Sequence, residues 1–177
     1  MHFVRNIKFV IICFFIIFIF TQSKAEIKVV FVEMDKLMRE SKVGKSLVIQ
    51  LAKADNNNNK NFEKTRKNLN IKKDKISGEI NILSKEEYEK KVKNLNKEFN
   101  TFKKNAEKEL SSLRTKRDKA MNKILSELKI LLSEYSNKNE ITYIIDQKNI
   151  IIGKSELNIT TEILKLLDAK LQKITLN

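Results

Sequence analysis

The apolar residues in the middle of this chain recur at the period of a helix that packs along one narrow seam. Phe62, Leu69, Ile76 and Leu83 stand seven residues apart. After a break at Leu83-Ser84-Lys85, the residues Tyr88, Val92, Leu95, Phe99, Phe102, Ala106, Leu110 and Leu113 follow at spacings of mostly four and three. Such spacing places one apolar stripe on each of two helices. Stripes this narrow cannot enclose a wide core, so the pattern predicts a long, thin helical hairpin.

The first helix is expected from about 42 to 82, a stretch without Pro in which only Gly44 and Gly78 interrupt. At 1.5 Å per residue it would be roughly 60 Å long. The polar run Asn56 to Asn59 falls where seam packing should continue, and reads as a solvated or locally loosened stretch. Ser84 and Glu87 have the spacing of a capping box, which starts the second helix, about 85 to 137. Leu83 just before the cap can pack on Tyr88. Towards the far end Ile124, Leu125, Leu128, Leu131, Leu132 and Tyr135 widen the apolar face, which predicts that the rod joins a body there.

Outside the rod the period changes. Ile27 to Val32 is short, β-branched and apolar on both faces, the pattern of a buried strand. Asp35 is placed to cap a short helix over Lys36-Leu37-Met38, and Ser41 offers a second N-cap. Ile141 to Asp146 reads as a strand and Asn149 to Ile152 as another, with Gln147-Lys148-Asn149 as a tight turn and Gly153 as the stop. Asn158-Ile159-Thr160 leads into a last helix carrying Ile163, Leu164, Leu167 and Leu171. Asn158-x-Thr160 also matches a glycan acceptor, but a helix-cap role is the simpler reading. The expected fold is α+β and mostly α, with the hairpin (42–137) inserted into a small β-rich body (26–41 plus 138–177). Three short strands and one helix make a marginal core with open sheet edges, so a homo-oligomer joined through the strands is expected. The strand residues Val29, Phe31, Ile144, Ile145 and Ile151 are the candidate contacts.

The first 25 residues stand apart. Arg5 and Lys8 precede the unbroken apolar run Phe9 to Phe20, and Ser23-Lys24-Ala25 puts small residues three and one before a cut. That is the order of a cleaved secretory signal peptide. The run is short of the roughly 20 residues that span a bilayer. The mature chain then loses His2 and Cys13, the single histidine and cysteine. No zinc ligand set of the usual kind, Ser-His pair, thiol nucleophile or disulfide can be built from what remains. No metal, cofactor or catalytic residue is expected, and the chain is read as not an enzyme. Gly44-Lys45-Ser46 resembles the end of a phosphate-binding loop, but that loop needs a glycine where Arg39 stands. Gly44 is better explained by close packing of the first helical turn against the body.

Charge separates the parts. Residues 42–137 hold 24 Lys+Arg and 13 Asp+Glu, whereas the flanks 26–41 and 138–177 hold 9 of each. The whole mature excess, +11, sits on the rod. A basic rod attracts polyanions, acidic proteins or an anionic membrane surface. Equally, any long solvated helix needs charge, and this chain uses 31 Lys against 5 Arg.

Three stretches together resemble the Skp/OmpH family of periplasmic chaperones. They are the post-signal segment Ile27 to Lys45, with Glu40-Ser41-x-x-Gly44-Lys45; the segment Thr142-Tyr143-Ile144-Ile145-Asp146 to Ile152; and Ile159-Thr160-x-x-Ile163-Leu164-Lys165. The resemblance covers essentially the whole mature chain, although the rod matches in pattern more than in residues. It implies a homotrimer whose strands form a small β-barrel body. Three tentacles would project around a cavity that holds unfolded outer-membrane barrel proteins without ATP, in the periplasm. Holding requires weak contact at many points. Ile76, Ile80, Leu83, Tyr88, Phe99 and Phe102 are the candidate client contacts, against the plainer role of zipping the helices together. The Asn56 to Asn59 run and the high Lys and Asn content depart from the family pattern and put the cavity lining and client range in doubt. Two rivals are a structural coiled coil of the envelope with an uncleaved N-terminus, and a nucleic-acid-binding protein. The signal peptide and the lack of Arg-rich base-reading features argue against the latter.

Overall fold

The computed structural model describes residues 27–176. The expected signal peptide, residues 1–25, lies outside them. Strand β1 (Val29–Val32) is followed by a short helix α1 (Met34–Glu40), the two long helices α2 (Lys42–Gly78) and α3 (Lys85–Lys138), strand β2 (Tyr143–Asp146), two 3-10 turns (Gln147–Asn149 and Ser155–Leu157) and helix α4 (Thr160–Lys170).

Helices α2 and α3 form the antiparallel hairpin that the seam spacing predicts. They pack along Phe62, Leu69, Ile76 on one side and Leu95, Phe99, Phe102 on the other, with Leu69 and Leu95 buried. The rings of Phe62 and Phe102 meet edge to face with centroids 6.3 Å apart, a favoured aromatic geometry. The polar run stays helical, and its Asn58 occupies a half-buried seam position. At the tip the Ser84–Glu87 capping box is complete: the Ser84 hydroxyl accepts from the Glu87 N–H while the Glu87 carboxylate accepts from the Ser84 N–H. Helix α2 stops at Gly78, four residues earlier than expected, because the N–H groups of Ile82 and Leu83 turn back to the Glu79 carbonyl.

Strands β1 and β2 pair in parallel, Val29 opposite Tyr143 and Val32 opposite Asp146. Parallel pairing demands a crossover, and here the whole hairpin is that crossover. Val30 and Val32 face the core with Leu37, Val43, Leu47, Ile124, Leu128, Ile141, Ile163 and Leu167. The bases of α2 and α3 are thus part of the body. The widened face at Ile124 to Tyr135 marks that junction as the sequence suggests. Phe31 points away from this core and is covered by the return segment, where Asn158 pairs with it and Gly153 lies against its ring.

Close approaches fix the junction. A Cβ on Gly44 would lie 1.7 Å from the Met38 carbonyl oxygen, so only glycine lets α2 start against the end of α1. Ser41 caps α2 by accepting from the Gly44 N–H at 3.1 Å, and Asp168 of α4 accepts from the Lys42 N–H at 2.7 Å. Both satisfy helix-end donors, and Asp168 sets negative charge at the positive pole of α2. The buried Thr160 hydroxyl accepts from the Glu33 N–H, and Asn158 accepts from the Thr160 N–H and donates to Glu33. Asn158 is therefore committed to the turn just before α4, but it is not the cap that the sequence suggests: Ile159 holds the N-cap position without a side-chain bond.

Two further local expectations fail. Asp35 does not cap α1; Glu33 holds the cap position without a side-chain bond, and Asp35 lies inside the first turn. Asn149 to Ile152 is not a strand, so the sheet has two strands among the described residues. The Asp146 carboxylate accepts from the Lys148 N–H and starts a 3-10 turn in place of a hairpin turn. The following residues find no sheet edge within the described chain, and Ile151 is 98% exposed.

Candidate functional surface

The geometry to consider is which apolar groups a basic, two-helix rod leaves in solvent. On such a rod a side chain on the seam meets the facing helix, and one a residue out of phase does not.

The six candidate contacts divide on this rule. Ile76, Phe99 and Phe102 sit on the seam and are half-buried. Leu83 and Tyr88, at the turn and at the start of α3, are also half-buried. Ile80 alone is open, at 56% exposure in the turn. Its neighbour Ile82 is more exposed still, at 79%. Ion pairs hold this end in shape: Lys91 of α3 reaches the Glu79 carboxylate at the end of α2, and Lys72 reaches Glu98 at 2.6 Å. The Lys91 ammonium holds the Glu79 carboxyl below its ordinary range, and the Ser84 hydroxyl and N–H do the same for Glu87. The tip therefore presents isoleucines on a turn fixed by a capping box and a cross-helix ion pair.

The base of the rod carries apolar exposure that the seam reading missed. Val48 and Ile49 are 61% and 68% exposed, and Leu110 opposite them is half in solvent. The signal was present: Leu47-Val48-Ile49 are consecutive, and a seam of period 3.5 can take only one of three in a row. Ile71 is exposed for the same reason, lying two residues past the seam position Leu69.

The candidate oligomer contacts are spread across the body. Val29, Ile144 and Ile145 are half-buried, Phe31 is buried within the single chain, and Ile151 is open. Tyr143 on β2 adds an exposed ring beside them. Among the described residues no group of three or more His, Cys, Asp and Glu could hold a metal ion. No helix there is long and apolar enough to cross a membrane.

A family model described as outer membrane protein (OmpH-like) matches residues 28–167. The chain belongs to the OmpH-like family. The match takes in β1, the rod, β2 and most of α4, which is the span over which the residue resemblance runs. The fold agrees with a crystal structure of an OmpH-like protein from Caulobacter crescentus CB15, proposed to be an outer membrane chaperone. The two share 16% identity, with a TM-score of 0.80 over 88% of this chain and 92% of the other. At that identity the likeness speaks for the fold. No curated protein matches the chain in sequence.

Proposed function

We propose that this protein is a periplasmic holding chaperone that acts without ATP. It would keep unfolded outer-membrane β-barrel proteins from aggregating by many weak contacts along the rod. The observation that carries the reading is the pairing of a thin, net-basic hairpin with out-of-phase isoleucines and valines at both its tip and its base. Scattered apolar groups on a charged scaffold favour reversible capture of a chain that exposes apolar segments, since no single contact is strong enough to hold it.

In this reading residues 1–25 are a cleaved signal peptide, 26–41 with 138–177 form the body and 42–137 the tentacle. The assembly is a homotrimer joined at the body. The small core, the unpaired outer edge of β2 and the exposed Tyr143 and Ile151 support joining of copies there. The expected client contacts are Ile80, Leu83 and Tyr88 at the tip, with Ile82 added by its exposure. Ile76, Phe99 and Phe102 contribute chiefly to the zipper. Replacing Ile80 and Tyr88 together with Ser should weaken client holding while the mass of the assembly stays unchanged. Unaltered holding by that variant removes the tip from the contact surface.

A further inference from the structure

The groove at the base of the rod has a chemistry that the tip lacks. Its floor is apolar, made by Val48, Leu51 and Ala52 of α2 and by Leu110 and Leu113 of α3. Its volume is about 440 Å³, within the range of ligand sites. Asp55, Arg114 and Arg117 complete the lining. Only four arginines follow residue 26, so half of them lie on this one groove.

These charges are not equivalent. Arg117 is engaged by Asp118, through two N–H donors at 2.9 and 3.1 Å. Asp55 accepts from the Asn59 amide at 3.2 Å. Arg114 is exposed and has no ion-pair partner among the described residues. An uncommitted guanidinium thus stands at the edge of an apolar floor. A guanidinium offers a planar fork that takes a carboxylate through two parallel hydrogen bonds, whereas an ammonium is a point charge.

We infer that the α2–α3 groove at the rod base is a docking subsite for an extended segment of unfolded polypeptide that places an apolar side chain on the Val48–Leu110 floor and a neighbouring Asp or Glu carboxylate on Arg114. This rests on the holding-chaperone reading and names a chemical preference within it. Charge complementarity selects the occupant: the rod carries the chain's whole mature positive excess, and the floor would leave a purely polar acidic segment without a partner.

The test uses protein purified from cells expressing the full chain, and two short fluorescent peptides rich in Leu that differ only in carrying Glu or Gln. Fluorescence anisotropy should show the Glu peptide binding about tenfold tighter, the scale of a charge-assisted hydrogen-bonded pair. Arg114→Gln should erase that preference, while Lys64→Gln, an equal charge loss elsewhere on the rod, should keep it. Equal binding of the two peptides, no binding of either, or a preference that survives Arg114→Gln overturns the inference. So does a change in assembly mass on Arg114→Gln, which would assign the groove to a second copy of the chain. Suppression of client aggregation, read separately by light scattering, distinguishes the two levels. Protection without Glu preference sinks the subsite alone, and loss of both sinks the chaperone reading with it.

Discussion

At the residue scale the tip depends on a few polar atoms. Ser84 and Glu87 close the start of α3 reciprocally, and the Ser84 hydroxyl is the first cause of the lowered Glu87 pKa. A carboxyl held lower in the folded state than in the unfolded one adds stability that is full above its unfolded value. That contribution fades as pH falls through the lowered value. The capping box is thus complete above about pH 4.5 and lost progressively below it, and Glu79 follows the same sign through Lys91. NMR titration of the side-chain carboxyls should place both midpoints below the ordinary glutamate range. Ser84→Ala should return Glu87 towards that range while leaving Glu79 low, and should cost the first turn of α3 about 1 kcal/mol. A Glu87 midpoint indifferent to Ser84→Ala would contradict the capping account.

At the element scale two glycines make opposite predictions. Gly44 sits where α2 meets the Met38 carbonyl, and any Cβ there must displace backbone. Gly78 ends α2 in open space, and a Cβ added there would meet nothing within 4 Å. Gly44→Ala should therefore destabilise the protein by about 3 kcal/mol through overpacking. Gly78→Ala should be neutral or stabilising by up to about 1 kcal/mol, since it only restricts the unfolded chain. Urea unfolding of the two variants reads both, and equal effects would contradict the close-approach role of Gly44. The same elements show what a sequence discloses. The seam, the Ser41 and Ser84 caps and the widened base were legible because each is a local pattern with a fixed period or spacing. Asn149 to Ile152 was not, because its residues suit a strand but the Asp146 carboxylate captures the Lys148 N–H and turns the chain first. The exposed Val48, Ile49 and Ile82 were passed over for a related reason. Reading for the seam selects the residues on phase, which are the ones the zipper covers, whereas a binding surface must come from those off phase.

At the scale of the whole molecule the parallel strand pair and the rod are one design. A single chain brings β1 to β2 only by sending the hairpin out and back, so the body cannot form without the tentacle's base, whose Val43, Leu47, Ile124 and Leu128 fill its core. In the proposed reading, the exposed Tyr143, Ile151 and Ile152 of the body would join copies, and the exposed aliphatic groups of the rod would capture unfolded chains. The most direct measurement of that claim dilutes a urea-unfolded outer-membrane β-barrel protein into buffer near physiological salt, with and without the purified protein. Light scattering follows aggregation while the mass of any soluble complex is recorded in the same run. The account predicts suppressed scattering and a soluble complex containing several copies of this chain per client. Undiminished scattering with no complex would contradict it.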